Sequence, residues 1–198
     1  MRNGNAAGVA TRRALCAAAA DFFVNYNLMT ARQAVEKIRA ATADFMPGMV
    51  ISGGQTGADR AGLDAAVAAG IPVGGFMPKG ALAEDGRVPS KYNLTELASA
   101  GYAARTLHNI ECSDATIILH LGEISGGTLL TATQCARLKK PLLCVDIRKN
   151  PSALRQLRRF LSNRRPAVLN IAGPRESKSP GIHEKSLALL TRLFSKTP

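Results

Sequence analysis

Short apolar runs and stretches of helical periodicity alternate along the chain from residue 46 onward. The apolar runs are too short to be helices, and several are continuous, as in the strands of buried parallel sheets. The stretches between them repeat apolar residues every three or four positions and end near glycine, lysine or proline. The predicted strands lie at residues 49–52, 71–76, 115–121, 142–147 and 167–171. This alternation predicts an α/β fold with a doubly wound, mostly parallel sheet of about five strands.

Two parts of the chain fall outside this alternation. Residues 81–98 show little periodicity and are predicted as a long loop, a kind of segment that is usually functional in compact domains. Residues 1–45 are rich in alanine, basic, and without glycine-rich turns. We therefore predict an N-terminal extension over residues 1–45, poorly packed or dispensable, and one ligand-binding domain over residues 46–198.

A glycine-rich turn follows the first predicted strand. The stretch Gly53-Gly54-Gln55-Thr56-Gly57 separates that strand from a predicted helix. Glycine allows positive φ and a close approach of the backbone to a ligand, and a helix N-terminus offers amide N–H groups to an anion. The stretch lacks the lysine of a P-loop and the spacing of a dinucleotide fingerprint, so it predicts a phosphate cradle of another kind. Asp59 has a second explanation, because a carboxylate in the first helical turn also stabilises the helix end.

Polar loops also follow the third and fifth predicted strands. The first of these loops contains Ser125-Gly126-Gly127-Thr128, and the second contains Ala172-Gly173-Pro174-Arg175-Glu176-Ser177. In open parallel sheets, ligands bind outside the carboxyl ends of the strands. We therefore expect the loops after the first, third and fifth strands to converge on one crevice.

The positive charge of the protein lies in the last third of the chain. Of the 26 Lys and Arg residues, 15 fall within residues 137–198, which contain only three Asp and Glu residues, and the net charge of the whole chain is +12. A weak, salt-dependent contact with nucleic acid is one hypothesis, and a solvated basic face is the other. The lack of interleaved aromatic residues favours the second. The candidate contacts are Arg148, Lys149, Arg155, Arg158, Arg159, Arg164 and Arg165.

The four cysteines and three histidines show no spacing typical of a metal site. There is no Cys-x-x-Cys pair, so we expect reduced, mostly buried thiols and no protein-ligated metal. No apolar run approaches the length of a membrane span. We therefore expect a cytoplasmic protein without a membrane partner.

Several motifs, taken together, resemble one known family. They are Ile51-Ser52-Gly53-Gly54-Gln55-Thr56-Gly57-Ala58-Asp59-Arg60, Pro78-Lys79-Gly80, Ala83-Glu84-Asp85-Gly86, Ser125-Gly126-Gly127-Thr128 and Ala172-Gly173-Pro174-Arg175-Glu176-Ser177. This combination, over about residues 49–195, is similar to the proteins named putative molybdenum carriers. They form a circularly permuted YpsA-type branch of the superfamily that contains the LOG nucleotide hydrolases and DprA. The resemblance implies a Rossmann-like three-layer sandwich, a homo-oligomer, and a bound molybdenum cofactor (a phosphorylated pterin) or nucleotide.

The resemblance also implies where this small phosphorylated ligand binds. One wall of the site would consist of Gly53, Gly54, Gln55, Thr56 and Gly57, with Asp59 and Arg60 beside them. The facing wall would consist of Ser125, Gly126, Gly127 and Thr128. Lys79 and Arg175 are candidates for neutralising the phosphate charge, although a single lysine is as often an ordinary surface cation.

Three functions are open at this point. The many anion donors and the lack of an obvious nucleophile–base pair favour a non-catalytic carrier. The second function is hydrolysis of a nucleotide's glycosidic bond, as in the LOG enzymes, which place a glutamate shortly after their glycine loop. Residues 129–134 contain no carboxylate, so the general base would have to be Asp59, Glu84, Asp85 or Asp114. The third is the nucleic-acid contact described above.

Overall fold

The computed structural model describes residues 45–98 and 101–195 of this chain. Residues 1–44, nearly all of the predicted extension, lie outside this part, so the packing of the extension stays a prediction. Phe45 lies within it and packs against the main core. The elements are β1 (Met49–Ile51), α1 (Ala58–Ala68), β2 (Val73–Gly74), β3 (Phe76–Met77), β4 (Leu82–Ala83), β5 (Gly86–Arg87), a 3-10 turn (Ser90–Tyr92), β6 (Thr95–Glu96), α2 (Tyr102–Glu111), β7 (Ala115–His120), α3 (Gly126–Arg137), β8 (Leu142–Asp146), α4 (Ala153–Arg164), β9 (Val168–Ala172) and α5 (Ile182–Phe194).

Five strands form one sheet in the order β2-β1-β9-β7-β8, and every neighbouring pair in it is parallel. In the middle of the sheet, Ile117 of β7 lies opposite Ile171 of β9 on one side and Leu143 of β8 on the other. The predicted α/β fold with a mostly parallel sheet of about five strands is confirmed.

The last strand, β9, occupies the centre of this sheet. Joining the end of α5 to the start of β1, and opening the chain between α4 and β9, would give the strand order 3-2-1-4-5 of a doubly wound nucleotide-binding sheet. The chain therefore has the connectivity of a circularly permuted Rossmann-like fold. The strand order reverses between β9 and β7, and ligands of such sheets bind at this reversal, outside the carboxyl ends.

Helices cover both faces of the sheet and complete a three-layer sandwich. On one face α1 and α4 pack against α5, whereas α2 and α3 pack against each other on the opposite face. Because side chains alternate along a strand, one set of strand positions supplies the core beneath α1, α4 and α5. This set includes Val50, Ile117, Leu119, Leu169 and Ile171, all of them buried. Within the described residues, no helix has the length and apolar character needed to cross a membrane.

The structure departs from the predicted elements in three places. The strand predicted at residues 71–76 is divided into β2 and β3 by Gly75, where φ is 128° and a Cβ would lie 2.2 Å from the Ser52 carbonyl oxygen. The segment 81–98, predicted as a loop, contains the hairpin β4–β5, the 3-10 turn, and β6, which pairs with β3. Helix α3 begins at Gly126 and not at residue 129, because the two glycines that resemble a turn form its first residues.

Candidate ligand-binding cavity

A cavity of about 520 Å³ lies at the carboxyl ends of the central strands. Its wall includes Gly53 after β1, His120 and Leu121 at the end of β7, and Gly173 after β9. This is the edge at which the strand order reverses, and the volume is typical of a small-molecule site. The three loops that were expected to converge on one crevice do meet here.

The N-terminus of α3 forms one wall of this cavity, through Ser125, Gly126, Gly127 and Thr128. The amides of Thr128 and Leu129 both donate to the Ser125 carbonyl, at 3.1 and 3.2 Å. The amides of Gly126 and Gly127 therefore precede the first backbone hydrogen bonds of the helix. Apart from the adjacent residues and the backbone of the helix itself, no described atom would lie within 4 Å of a Cβ added at either glycine. Open space beside two helix-end amides is the arrangement with which helix N-termini bind anions in other proteins.

The N-terminus of α1, in contrast, is closed by the protein itself. A Cβ at Gly57 would lie 2.4 Å from the Pro174 carbonyl oxygen, and a Cβ at Gly54 would lie 2.6 Å from Leu94 Cδ1. The Ala58 amide donates to the same Pro174 oxygen at 3.2 Å. These two glycines are required for packing between loops. Of the two glycine-rich helix starts, the one at α3 therefore has open space beside its first amides, and the one at α1 does not.

Asp59 and Arg105 form a charged pair in the cavity wall. Asp59 is 6% exposed, and burial raises the pKa of its carboxyl to about 6, against the opposing effects of the Arg105 guanidinium and of backbone N–H groups of Gln55, Gly173 and Gly53. A Cβ at Gly53 would lie 2.8 Å from both charged side chains, which explains the glycine there. Asp59 thus joins the loop after β1 to the loop after β9. The backbone N–H groups of these loops occupy most of the positions at which its two carboxylate oxygens can accept hydrogen bonds.

Four cavity residues on α2 were not selected from the sequence: Tyr102, Arg105, Thr106 and Asn109. Their spacing of i, i+3, i+4 and i+7 places them on one helix face. Asn109 is buried and joins α2 to β3, because its amide group accepts from the Phe76 N–H at 3.0 Å and donates to the Phe76 carbonyl at 3.1 Å. The regular spacing of these polar residues was the pattern in the sequence that could have predicted a cavity-facing helix face. The sequence analysis selected none of them, because the apolar residues elsewhere on α2 dominate the pattern.

Glu84 attaches the hairpin β4–β5 to two loops beside the cavity. Its carboxylate accepts hydrogen bonds from the Thr56 hydroxyl and from the amide and hydroxyl of Ser177. Arg175 Nε lies 3.6 Å from the same carboxylate. Desolvation alone would raise the pKa of Glu84, but the hydrogen bonds from Ser177 and Thr56 outweigh it and leave the pKa below its ordinary value. Thr56 therefore already has an intramolecular partner in this hairpin.

Some of the predicted ligand-binding residues line the cavity and others do not. Arg60 and Lys79 do not: Arg60 makes a two-pronged ion pair with Asp85 of the hairpin, and Lys79 is exposed on the turn after β3. Contact of any of these residues with a ligand stays a prediction. The cavity wall contains Gly53, Gln55, Asp59, Ser125, Gly126, Gly127, Thr128 and Arg175, whereas Gly54, Thr56, Gly57, Arg60 and Lys79 are not part of it.

Of the four carboxylates considered as a general base, Asp59 lines the cavity. Glu84 and Asp85 belong to the hairpin β4–β5, and Asp114 lies at the opposite edge of the sheet, where it accepts from the Val168 amide at 2.8 Å. A second cavity carboxylate, Glu123, was not predicted. Across residues 45–98 and 101–195, no group of three or more His, Cys, Asp or Glu side chains is arranged to hold a metal ion.

The basic residues considered for nucleic acid lie on α4 and on its flanking loops, and they are not part of the cavity wall. Hydrogen bonds from Arg148 lower the pKa of Asp146 to about 2, and the Arg165 guanidinium carbon lies 5.2 Å from the centroid of the Phe45 ring. These two cations have partners within the protein. A contact with nucleic acid stays a prediction.

We expect the stability of this protein to depend on the charge of Asp59. The carboxyl has a folded-state pKa of about 6 against an ordinary value of 3.8, so the native state binds its proton more tightly than the unfolded state does. Acidification from about pH 7 to about pH 4 should therefore stabilise the wild type relative to Asp59→Asn, by about 2 kcal/mol. Urea unfolding of both proteins across this range measures the difference.

Asp146→Asn is the matched control for this experiment. The folded-state pKa of Asp146 lies below its ordinary value, so any contribution it makes is lost as the pH falls below about 4, which is the opposite direction. A stability difference between the wild type and Asp59→Asn that does not change with pH would contradict the assignment of a raised pKa to Asp59.

The fold and the cavity define a Rossmann-like ligand-binding protein whose cavity lies at the strand-order reversal. Residues 50–194 match the model of the family described as "Circularly permutated YpsA SLOG family". Because this match spans most of the chain, the protein belongs to that family. The permutation in the family's description agrees with the central position of the last strand.

The chain is also similar to a protein of solved structure. The crystal structure of "Putative molybdenum carrier protein" from Syntrophus aciditrophicus SB, at 1.45 Å resolution, shares 42% sequence identity with this chain and superposes with a TM-score of 0.71. The similarity covers 75% of this chain and 94% of that chain. No curated protein matches this chain. The family predicted from the motifs is confirmed.

Proposed function

We propose that this chain is a non-catalytic binding or carrier protein for a small phosphorylated heterocycle, either molybdenum cofactor or a nucleotide. The observation that carries the proposal is the pair Gly126 and Gly127, whose helix-end amides border open cavity space. Such amides bind phosphate through hydrogen bonds and the helix dipole. The name of the similar protein from Syntrophus aciditrophicus supports the first ligand, and the doubly wound strand order supports the second.

Cations supplement the cradle. Arg105, Arg175 and Lys178 all line the cavity. Arg175 is partly exposed, and its distance of 3.6 Å from Glu84 exceeds that of a strong charge-assisted hydrogen bond, so its guanidinium can turn to a phosphate at low cost. The carboxylates of Asp59 and Glu123 limit the positive charge of the site. The balance suits a ligand with one phosphate group better than a polyphosphate.

Native mass spectrometry of the protein purified from its own source tests the proposal. We expect a co-purifying small molecule that contains phosphate and a heterocyclic ring. A preparation that carries no such molecule, and that also fails to bind nucleoside monophosphates or a phosphorylated pterin when they are supplied, would contradict the proposal. The same spectra report the oligomeric state, which we propose to be a homo-oligomer.

Hydrolysis of a glycosidic bond is the second candidate, and one observation favours it. Asp59 lines the cavity with a pKa raised to about 6, nearer to the range that suits a general base at neutral pH. However, its carboxylate already accepts from three backbone N–H groups and faces Arg105, which leaves little room for a catalytic water. Steady release of free base from nucleoside monophosphates by the wild type, lost in Asp59→Asn, would replace the carrier proposal with the hydrolase.

A further inference from the structure

The first turn of α2 places an aromatic ring at the cavity wall without burying it. Tyr102 lines the cavity, yet the residue is 56% exposed. Among the cavity-lining residues that the structure describes, Tyr102 is the only Phe, Tyr or Trp residue. An exposed ring contributes little to the core, so its packing within the protein does not account for its position.

Arg105 lies one helical turn further along α2 and supports this ring. Its guanidinium carbon is 5.5 Å from the centroid of the Tyr102 ring, within the range of a cation–π contact. The guanidinium is held in place by the charge of Asp59 and by the Gly53 carbonyl, to which Nη1 donates at 3.4 Å. Arg105 Nε is buried and has no hydrogen-bond partner among the described residues. The guanidinium therefore lies over one face of the phenol ring, and both flat groups are at the cavity wall.

We propose that Tyr102, backed by the Arg105 guanidinium, forms the platform on which the flat ring of the ligand stacks, while the α3 N-terminus holds its phosphate. This inference rests on the proposed function and deepens it, because it assigns the residues that distinguish a phosphorylated heterocycle from a simple sugar phosphate. Aromatic rings and guanidinium planes are the side chains on which heterocycles stack in proteins. Stacking depends on a flat π-face, so a ligand without an aromatic ring gains no binding energy from stacking on this wall.

The positions of the platform and the cradle allow one molecule to reach both. Helices α2 and α3 pack against each other, and both contribute to the wall of the same 520 Å³ cavity. A phosphate alone fills only a small part of such a volume. A phosphorylated heterocycle has its charge at one end and its ring at the other, so one molecule in this cavity can present a group to each of the two walls.

Calorimetric titration with adenosine monophosphate and with ribose 5-phosphate tests the platform, because the nucleotide carries an adenine base where the sugar phosphate has its anomeric hydroxyl. We expect the wild type to bind the nucleotide more tightly than the sugar phosphate. Tyr102→Leu should weaken nucleotide binding about tenfold and leave ribose 5-phosphate binding within about twofold of the wild type. Tyr102→Phe keeps the ring and should bind both probes as the wild type does.

The possible results separate the platform from the carrier function. Equal affinity of the wild type for the two probes, or an equal loss for both probes in Tyr102→Leu, would overturn the platform while leaving the phosphate cradle intact. Failure of the wild type to bind either probe would contradict the proposed function for these ligands and would overturn the platform with it. Circular dichroism of each variant separates loss of binding from loss of folding.

A spectroscopic measurement gives a second, independent test. The chain contains no tryptophan, so Tyr102→Trp introduces a single indole on the cavity wall. Excited where nucleotides do not absorb, its emission should be quenched by adenosine monophosphate and unchanged by ribose 5-phosphate. Binding of the nucleotide without any change in the emission would place the ring elsewhere and overturn the proposal.

Discussion

Replacing Gly57 by alanine is expected to destabilise the folded protein by about 3 to 5 kcal/mol. Gly57 has a φ of 78°, and a Cβ there would lie 2.4 Å from the Pro174 carbonyl oxygen and 2.9 Å from the Arg175 carbonyl carbon. Backbone atoms cannot rotate away as side-chain ends do, so the loop after β9 would have to move. That movement would also break the hydrogen bond from the Ala58 amide to Pro174. The midpoint of urea unfolding measures the effect.

Gly70→Ala is the control for this substitution. Gly70 has a φ of 70°, close to that of Gly57, but a Cβ there would meet no described atom within 4 Å. Its cost should be only that of the left-handed conformation, about 1 kcal/mol. Equal losses in the two variants would show that the contact between the loops after β1 and β9 does not require glycine.

The second large effect is expected on ligand binding. Replacing Gly127 by valine should weaken binding of nucleoside monophosphates by roughly 100-fold or more, because the side chain fills the cradle and removes amide hydrogen bonds to a charged oxygen. The helix should tolerate valine, because Gly127 lies in its first turn and the space around the added Cβ is open. Calorimetric titration gives the affinity, and urea unfolding should show a stability within about 1 kcal/mol of the wild type.

Thr133→Val on the same helix provides the matched control. Thr133 is exposed and is not part of the cavity wall, and its hydroxyl donates only to the Leu129 carbonyl at 3.0 Å. This variant carries the same new side chain and should bind as the wild type does. Unchanged affinity in a folded Gly127→Val variant would mean that the phosphate is not held at α3.

Several features of this protein could be predicted from the sequence because they depend on neighbours along the chain. The strands at residues 115–121, 142–147 and 167–171 were predicted within two residues of their observed ends, since continuous apolar runs are a local property. The convergence of three polar loops also followed, because parallel strands bring their carboxyl ends to one edge. The division of the predicted strand 71–76 into β2 and β3 was missed, as were β6 and the hairpin β4–β5, since elements of two residues carry almost no periodicity.

The two glycine motifs show what only the tertiary structure decided. Along the chain both have the same pattern of strand, glycine turn and helix, and both predict an anion cradle. In the folded protein, the backbone of the loop after β9 closes the N-terminus of α1, whereas the N-terminus of α3 faces open cavity. That loop lies more than 110 residues from the first motif in the sequence. No local pattern reports such a contact.

The strand order and the cavity face of α2 were decided in the same way. The last strand, β9, lies between β1 and β7 only when the whole sheet is assembled, and the site lies at that junction. Tyr102 and Arg105 become cavity residues because α2 packs beside α3 across that edge. Sequence by itself determined the main strands and helices and the chemistry of their loops. Tertiary packing determined which of those loops face a ligand, because burial and open space depend on residues that are distant along the chain.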